Sequence, residues 1–416
     1  MKILYLGDSP AVATGFGNVS RNLLDNLWYD HEDVEITVLG INDRGGWKNP
    51  NKFDKRYKVY PSIFDNYKDE LGFTRLLNVL QNKDPEIRSQ DWDVLILHID
   101  SFLLASKTID GIAYINYLNK EFALRPKMKT ILYTPIDNPL IPPEWVETMQ
   151  QFDVVATYSK YGKEMISAAD KGLGNRVKVI YPGIDVSNFH PIKDFKRVVK
   201  IGESEFDLKD RFVIGYVGRN QWRKDYFHLV KIFSEFKKKY PEAYLYMHTN
   251  PSDTQHDGGD IFELCNSFGL NLGEDYFVPV NHEDNQGIKR NSMNEVYNMM
   301  DVFLSCSMGE GFGLPYVEAM AAGVPVVLPD NTTSPELTGD GKWGYMYFQN
   351  NSVCFGTWDL MRERPLPDID DAIEVLEACK SNMGSWNKKV TAAARDFVLK
   401  EVNAEKFADE FWEVIK

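Results

Sequence analysis

Cysteine is scarce in this chain: four in 416 residues (Cys265, Cys306, Cys354 and Cys379), far apart and without a C-x-x-C pair. That spacing excludes a disulfide framework and a zinc ribbon, and it fits a reducing cytoplasm. Long apolar runs are missing as well. No stretch approaches the roughly 18 residues of a membrane span, so no stable membrane insertion is expected. The opening MKILYLGDSP has one Lys, a short apolar run and then Gly-Asp, which begins a strand rather than a secretory signal. Positive charge is also short, with 47 Lys and Arg against 61 Asp and Glu, a formal net charge of −14. A duplex-binding stripe is therefore not evident, since phosphate neutralisation dominates such affinity. The deficit is uneven: residues 1–190 carry a net −3 and the remainder −11. The local run Lys120, Arg125, Lys127 and Lys129 fits either a solvated helix face or an anionic partner.

What is present is a repeated rhythm of strand, glycine-containing turn and helix. Apolar Ile3–Leu6 is broken by Gly7-Asp8-Ser9-Pro10, and a helical period follows in Phe16, Val19, Leu23, Leu24 and Leu27. Further strands are predicted at Val34–Leu39, Val94–Ile99, Thr130–Tyr133, Val154–Tyr158 and Val177–Ile180. The rhythm stops at Tyr181-Pro182-Gly183-Ile184-Asp185 and the polar stretch 187–210, then restarts at Phe212–Val217. Helix is predicted over about 225–240, with strands at Ala243–His248, Tyr276–Val280, Val302–Ser305 and Val324–Leu328. Alternation of this kind predicts parallel sheets covered on both faces. The organisation expected is an α/β domain over 1–190, a second over 191–400, and a helical tail whose last segment, 401–416, crosses back to the first. Ligands of such sheets sit beyond the carboxyl ends of the strands, so loops just after strands carry the chemistry.

The richest such loop runs from Ser305 through Glu310, Gly311, Phe312 and Gly313 into Leu314-Pro315 and Glu318. Glycines leave amide N–H groups unobstructed, Pro315 suits a first helical turn, and a helix start favours anions. Glu310 precedes the helix and Glu318 lies about one turn inside it, within reach of a polyol beside a phosphate. A tight packing turn with two solvated glutamates is the other reading. A second loop, Gly218-Arg219-Asn-Gln-Trp-Arg223-Lys224-Asp225, brings cations to a strand end, as a diphosphate requires. A third, Thr14-Gly15-Phe16-Gly17, has Ser20 where a dinucleotide fingerprint needs its third glycine. It fits a glycine-rich approach to a phosphate or sugar, and equally a plain strand-to-helix turn.

The strings E-G-F-G-L-P-x-x-E-A-M-A-x-G-x-P-V-V and V-G-R-x-x-x-x-K resemble those of family-four (group 1) retaining glycosyltransferases, and the loop Thr14-Gly15-Phe16-Gly17 and the segment Thr134-Pro135-Ile136-Asp137-Asn138-Pro139 are similar to phage-encoded members. The resemblance implies the GT-B fold, two Rossmann-like domains facing across a cleft, and covers nearly the whole chain. It implies that Arg219 and Lys224 bind and stabilise a departing diphosphate, and that Glu310 holds the donor sugar. Gly311, Phe312, Gly313 and Leu314 would lie against phosphate or sugar, Glu318 against the ribose, and Gly15 and Gly17 would close over the donor. No metal or other cofactor is implied; the nucleoside-diphosphate sugar, UDP-sugar favoured, is a co-substrate. Asp91-Trp-Asp93 precedes its strand and Asp368-Ile-Asp370 reads as a helix cap, so neither offers a metal site. Many relatives place a His where this chain has Ile136, followed by Asp137. Asp137 either replaces that His in catalysis or forms an Asx turn before Pro139. His98, at a strand end, is either a further catalytic candidate or a satisfied structural histidine. The acceptor, bound by the first domain, is left open among glycan, small molecule and hydroxymethylated DNA. A sugar-nucleotide epimerase and a non-catalytic sugar-nucleotide-binding protein are the alternative functions.

Overall fold

Strands that are apolar at consecutive positions are buried on both faces, which only a helix-covered parallel sheet allows. The computed structural model describes residues 1–31, 33–43, 57–63, 69–88, 91–252, 258–279, 290–355 and 362–416. It divides into two units, one of Met1–Ile184 with Val402–Lys416, the other of Asp185–Glu401.

The first unit holds a seven-stranded parallel sheet in the order Tyr57–Pro61, Glu35–Ile41, Lys2–Asp8, Val94–His98, Lys129–Thr134, Val154–Thr157, Lys178–Val179. All five residues of Val94–His98 are buried, as a central strand demands. The chain builds outward from Lys2–Asp8 in one direction, then returns to its other side with Val94–His98. The carboxyl ends of those two strands are therefore a topological switch point, where crossovers leave a crevice. The helix Ala404–Ile415 belongs to this unit because Phe407, Phe411, Val414 and Ile415 form one apolar stripe, with Asn403 capping its start. Phe407 and Phe411 pack on Tyr133 at centroid distances of 5.8 and 5.2 Å, and Trp412 stacks on His31 at 3.7 Å.

The second unit repeats the plan with six parallel strands, ordered Tyr276–Phe277, Ala243–His248, Phe212–Val217, Val302–Leu304, Val326–Pro329, Tyr345–Tyr347. Its switch point lies between Phe212–Val217 and Val302–Leu304, so the loops after these strands are neighbours. The helix starting at Leu314 and the cap at Asp368, which accepts from the Asp371 N–H at 3.1 Å, stand where the sequence puts them.

Several stretches differ from the expectation. The polar joint over 187–210 contains an antiparallel hairpin, Val198–Ile201 with Ser204–Asp207, turned through Gly202 at φ +60°. Of its strand residues only Val199 is buried, so no apolar run betrays it. The edge strands Tyr57–Pro61 and Tyr345–Tyr347, and the ribbon Gln349–Phe355 with Glu363–Pro367, escape prediction for the same reason. The strand expected over Tyr276–Val280 ends at Phe277; Val280 lies outside the described residues.

Candidate active site

The loop after Phe212–Val217 reaches a short 3-10 turn, Trp222–Lys224, and then Asp225, a non-glycine held at φ 55°. Asp225 caps the helix Tyr226–Lys239 by accepting from the His228 N–H at 3.1 Å, and its other oxygen meets His228 Nδ1 at 2.7 Å. This left-handed step ends the turn and aims Lys224 inward, where it is buried. Beside it, the loop after Val302–Leu304 is tied to the same turn. Met308 N–H donates to the Arg223 carbonyl at 2.8 Å, and Arg223 Nη1 returns a bond to the Gly309 carbonyl at 2.8 Å.

The two loops meet in an ion pair. Lys224 Nζ donates to Glu310 Oε1, and Arg223 Nη1 stands 3.5 Å from Glu310 Oε2. Burial pushes the Glu310 carboxyl up, but Lys224 and then Arg223 outweigh it and hold it down at about 2. Glu310 is thus an ionised acceptor at neutral pH and cannot serve as a proton donor. Gly313 follows at φ 97°; a Cβ there would stand 2.5 Å from the Tyr316 ring, so glycine is required. The helix Leu314–Ala321 begins at this point with Pro315 in its first turn and, among the described residues, no side-chain cap. Its amide end faces the loop that carries Glu310, Gly311 and Phe312. Within the helix, Glu318 is buried and accepts from the Tyr297 hydroxyl at 2.6 Å. Burial, then the charge of Glu318, pushes that hydroxyl well up, so it remains a donor. A carboxylate beside one buried and one half-buried cation, at a helix start, suits a ligand with both an anionic group and hydroxyls.

Residues 211–355 match the family Glycosyl transferases group 1. The match spans the cation turn, the Glu310 loop and Glu318. Among relatives, GDP-mannose-dependent alpha-(1-6)-phosphatidylinositol monomannoside mannosyltransferase of Mycolicibacterium smegmatis is 28% identical over 199 residues, 46% of this chain and 48% of that protein. The chain spans about half the length of this relative and 50% of spore coat protein SA of Bacillus subtilis, to which it is 23% identical over 195 residues. Likeness of fold extends further. Sucrose-phosphate synthase from Thermosynechococcus elongatus superposes with a TM-score of 0.70 at 13% identity, covering 100% of this chain and 98% of the other. Anabaena HepE in complex with UDP-glucose gives 0.66 at 13% identity, covering 100% and 99%. The fold is that of GT-B glycosyltransferases, two parallel-sheet α/β units with helices.

Set against the group 1 match, the candidate residues fall in two sets. Lys224 and Glu310 are joined directly, with Gly311, Phe312, Gly313, Leu314 and Glu318 along the same loop and helix. Arg219 is half-buried at the start of the cation turn, while Arg223, a cation of the same loop to which the resemblance gives no role, is the second cation at Glu310. Its only signal was adjacency to Lys224. Tyr297, the partner of Glu318, lies on the helix Arg290–Asn298 and carried no signal.

Gly15, Gly17 and Asp137 belong to the first unit. Gly15 is exposed at the start of the helix Gly15–Asp30, capped by Thr14. Gly17 is buried, and its N–H is given to Thr14 Oγ1 at 2.8 Å. A Cβ on it would stand 2.5 Å from the Val12 carbonyl oxygen, so glycine is needed here for backbone approach. Gly17→Ala is expected to destabilise the protein by about 1–3 kcal/mol, measured by urea denaturation; an unchanged midpoint would show that the Val12 turn yields freely. Asp137 is half-buried after Lys129–Thr134, and the side chain that closes the following turn is Asn138, donating to the Leu140 carbonyl at 2.5 Å. His98 ends its strand fully enclosed, its ring nitrogens against Tyr5, Ser20 and Tyr158 hydroxyls. It is a satisfied buried histidine, turned away from solvent.

Proposed function

We propose that the protein is a glycosyltransferase that moves a hexose from a nucleoside-diphosphate sugar, a UDP-sugar in the first instance, to an acceptor hydroxyl. The observation that carries this reading is the Lys224–Glu310 pair, flanked by Arg223, at the uncapped start of Leu314–Ala321. A diphosphate entering there meets fixed cations and helix amides, while ionised Glu310 accepts from sugar hydroxyls. In the reaction the bond from the anomeric carbon to the diphosphate oxygen breaks and its electron pair leaves with the diphosphate. The acceptor oxygen bonds to the same carbon and its proton passes to the departing phosphate or to solvent. Arg219, Arg223 and Lys224 stabilise the charge that grows on the leaving group, an electrostatic contribution in a buried setting. Metal independence and retention of configuration follow the family resemblance. The acceptor is assigned to the first unit, whose switch point bears the Gly15 turn. The cytoplasm, with its nucleotide sugars, is the working compartment proposed.

The test is nucleoside-diphosphate release across UDP-, GDP- and ADP-sugars, first without acceptor, then with glycans, small polyols and hydroxymethylated DNA. Slow release from one donor is expected, falling by on the order of 10²-fold in Lys224→Ala and in Arg219→Ala. If calorimetry detects no binding of any of these donors, the transferase reading fails.

A further inference from the structure

Among the described residues, non-glycine positions at positive φ are Asn42, Asn82, Asp110, Asp194, Asp225, Asp340 and Thr332. Asn and Asp tolerate the left-handed region, because their short polar side chains bond locally. A β-branched residue does not, and Thr332, at φ 41°, is the exception in that set. Such an outlier persists only where its surroundings hold it, and it points to a local task.

The surroundings of Thr332 are the Glu310 loop. Strand Val326–Pro329 pairs with Val302–Leu304, so the segments that follow the two strands leave the sheet side by side. Thr332 Oγ1 accepts the Glu310 N–H at 3.1 Å and donates to Asn331 Oδ1 at 3.0 Å. Asn331 Nδ2 then donates to the Ser307 carbonyl at 3.0 Å, and buried Thr333 donates from Oγ1 to the Phe312 carbonyl at 2.7 Å. Three consecutive side chains thus grip the loop before, at and after Glu310. Within this grip the hydroxyl of Thr332 is the link that touches Glu310 itself, and the strained φ is what sets that hydroxyl under the amide.

We infer that Thr332 is a positioning residue for the transfer reaction, its side chain fixing the Glu310 amide so that the Glu310 carboxylate stays aimed between Lys224 and Arg223. The inference rests on the transferase reading for its consequence and on the hydrogen bonds for its geometry. With the amide fixed, Glu310 meets the donor sugar in one orientation; with the amide loose, the carboxylate follows its cations instead. Misplacement of a reacting constellation by about 1 Å costs on the order of 10²-fold in rate.

Three proteins decide it: wild type, Thr332→Gly and Thr332→Ser. Glycine removes the hydroxyl and relieves the strain, whereas serine restores the hydroxyl. The glycine variant is expected to melt no lower than wild type, to bind UDP and keep its donor KM within about threefold, and to lose about 10- to 100-fold in kcat. Serine should recover most of that kcat. Hydrogen–deuterium exchange at the Glu310 amide gives a reading that does not depend on turnover: about tenfold faster in the glycine variant, near wild type in the serine variant. Equal exchange in all three, full kcat in the glycine variant, or no recovery by serine would each overturn the inference. A wild-type protein that binds no nucleotide sugar overturns the transferase reading instead, while the exchange data still judge whether Thr332 holds Glu310.

Discussion

Glu310→Gln is expected to lower sugar transfer by on the order of 10²–10³-fold, the scale of losing one preorganised electrostatic contact at a reacting centre. UDP binding should stay within a few-fold of wild type. The substitution keeps the shape of the side chain and one acceptor oxygen but removes the negative charge that now meets Lys224 and Arg223. Those cations then present undiminished charge to a diphosphate, which favours binding of UDP. The sugar loses an ionised acceptor for its hydroxyls, which weakens the geometry of transfer. Because the Glu310 carboxyl is held at about 2, wild-type activity should not track its titration anywhere near neutrality. The sign is that of a depressed acid. The stability it contributes is complete above the unfolded value of roughly 4.3, and is lost as pH falls toward about 2. UDP release with acceptor present and calorimetry with UDP are the measurements. Transfer at the wild-type rate would remove Glu310 from the reaction; loss of UDP binding together with transfer would make it a structural partner of Lys224.

The sequence predicts most strands of both sheets because central parallel strands are apolar at every position, and it predicts the helix at Leu314 because glycine and proline mark its start. It does not predict the hairpin at Val198–Asp207, where half-exposed strands leave a charged, alternating text. The same limit applies within the site. Glycine at Gly313 announces its left-handed backbone, but Asp225 and Thr332 adopt theirs without announcing it, and those two residues aim Lys224 and hold Glu310. Arg223 and Arg219 are equivalent as letters; the 3-10 turn at Trp222–Lys224 decides that Arg223 meets Glu310. Tyr297 reaches Glu318 from a separate helix, a pairing that no local spacing encodes.

A similar gathering of distant residues makes His98 the source of a pronounced acid sensitivity in the first unit. Its Nδ1 lies 2.5 Å from the Tyr5 hydroxyl and 3.2 Å from Ser20 Oγ, its Nε2 meets the Tyr158 hydroxyl, and its ring stacks on Tyr133 at 5.2 Å. A neutral imidazole is fully satisfied there, donating from one nitrogen and accepting at the other. Burial lowers its pKa to about 3, and burial also keeps Tyr5, Tyr133 and Tyr158 as uncharged hydroxyls. The unfolded chain takes up a proton near pH 6.5 that the native state refuses. The stability at stake is therefore present above about pH 6.5 and drains as pH falls toward about 3. One such proton gives a slope of about 1.4 kcal/mol per pH unit, on the order of 5 kcal/mol across the window. His98→Gln cannot take up that proton. It should be less stable than wild type at pH 7.5, by about 1–3 kcal/mol for lost packing and hydrogen bonding, yet lose stability more slowly on acidification. Urea denaturation between pH 7.5 and 4 should show the two curves converging, with the ionised carboxylates common to both cancelling in the difference. Parallel curves would mean that His98 takes up its proton in the folded protein as readily as in the unfolded chain, and that Phe16, 5.0 Å from its ring at the Gly15–Gly17 turn, leaves water a path to it.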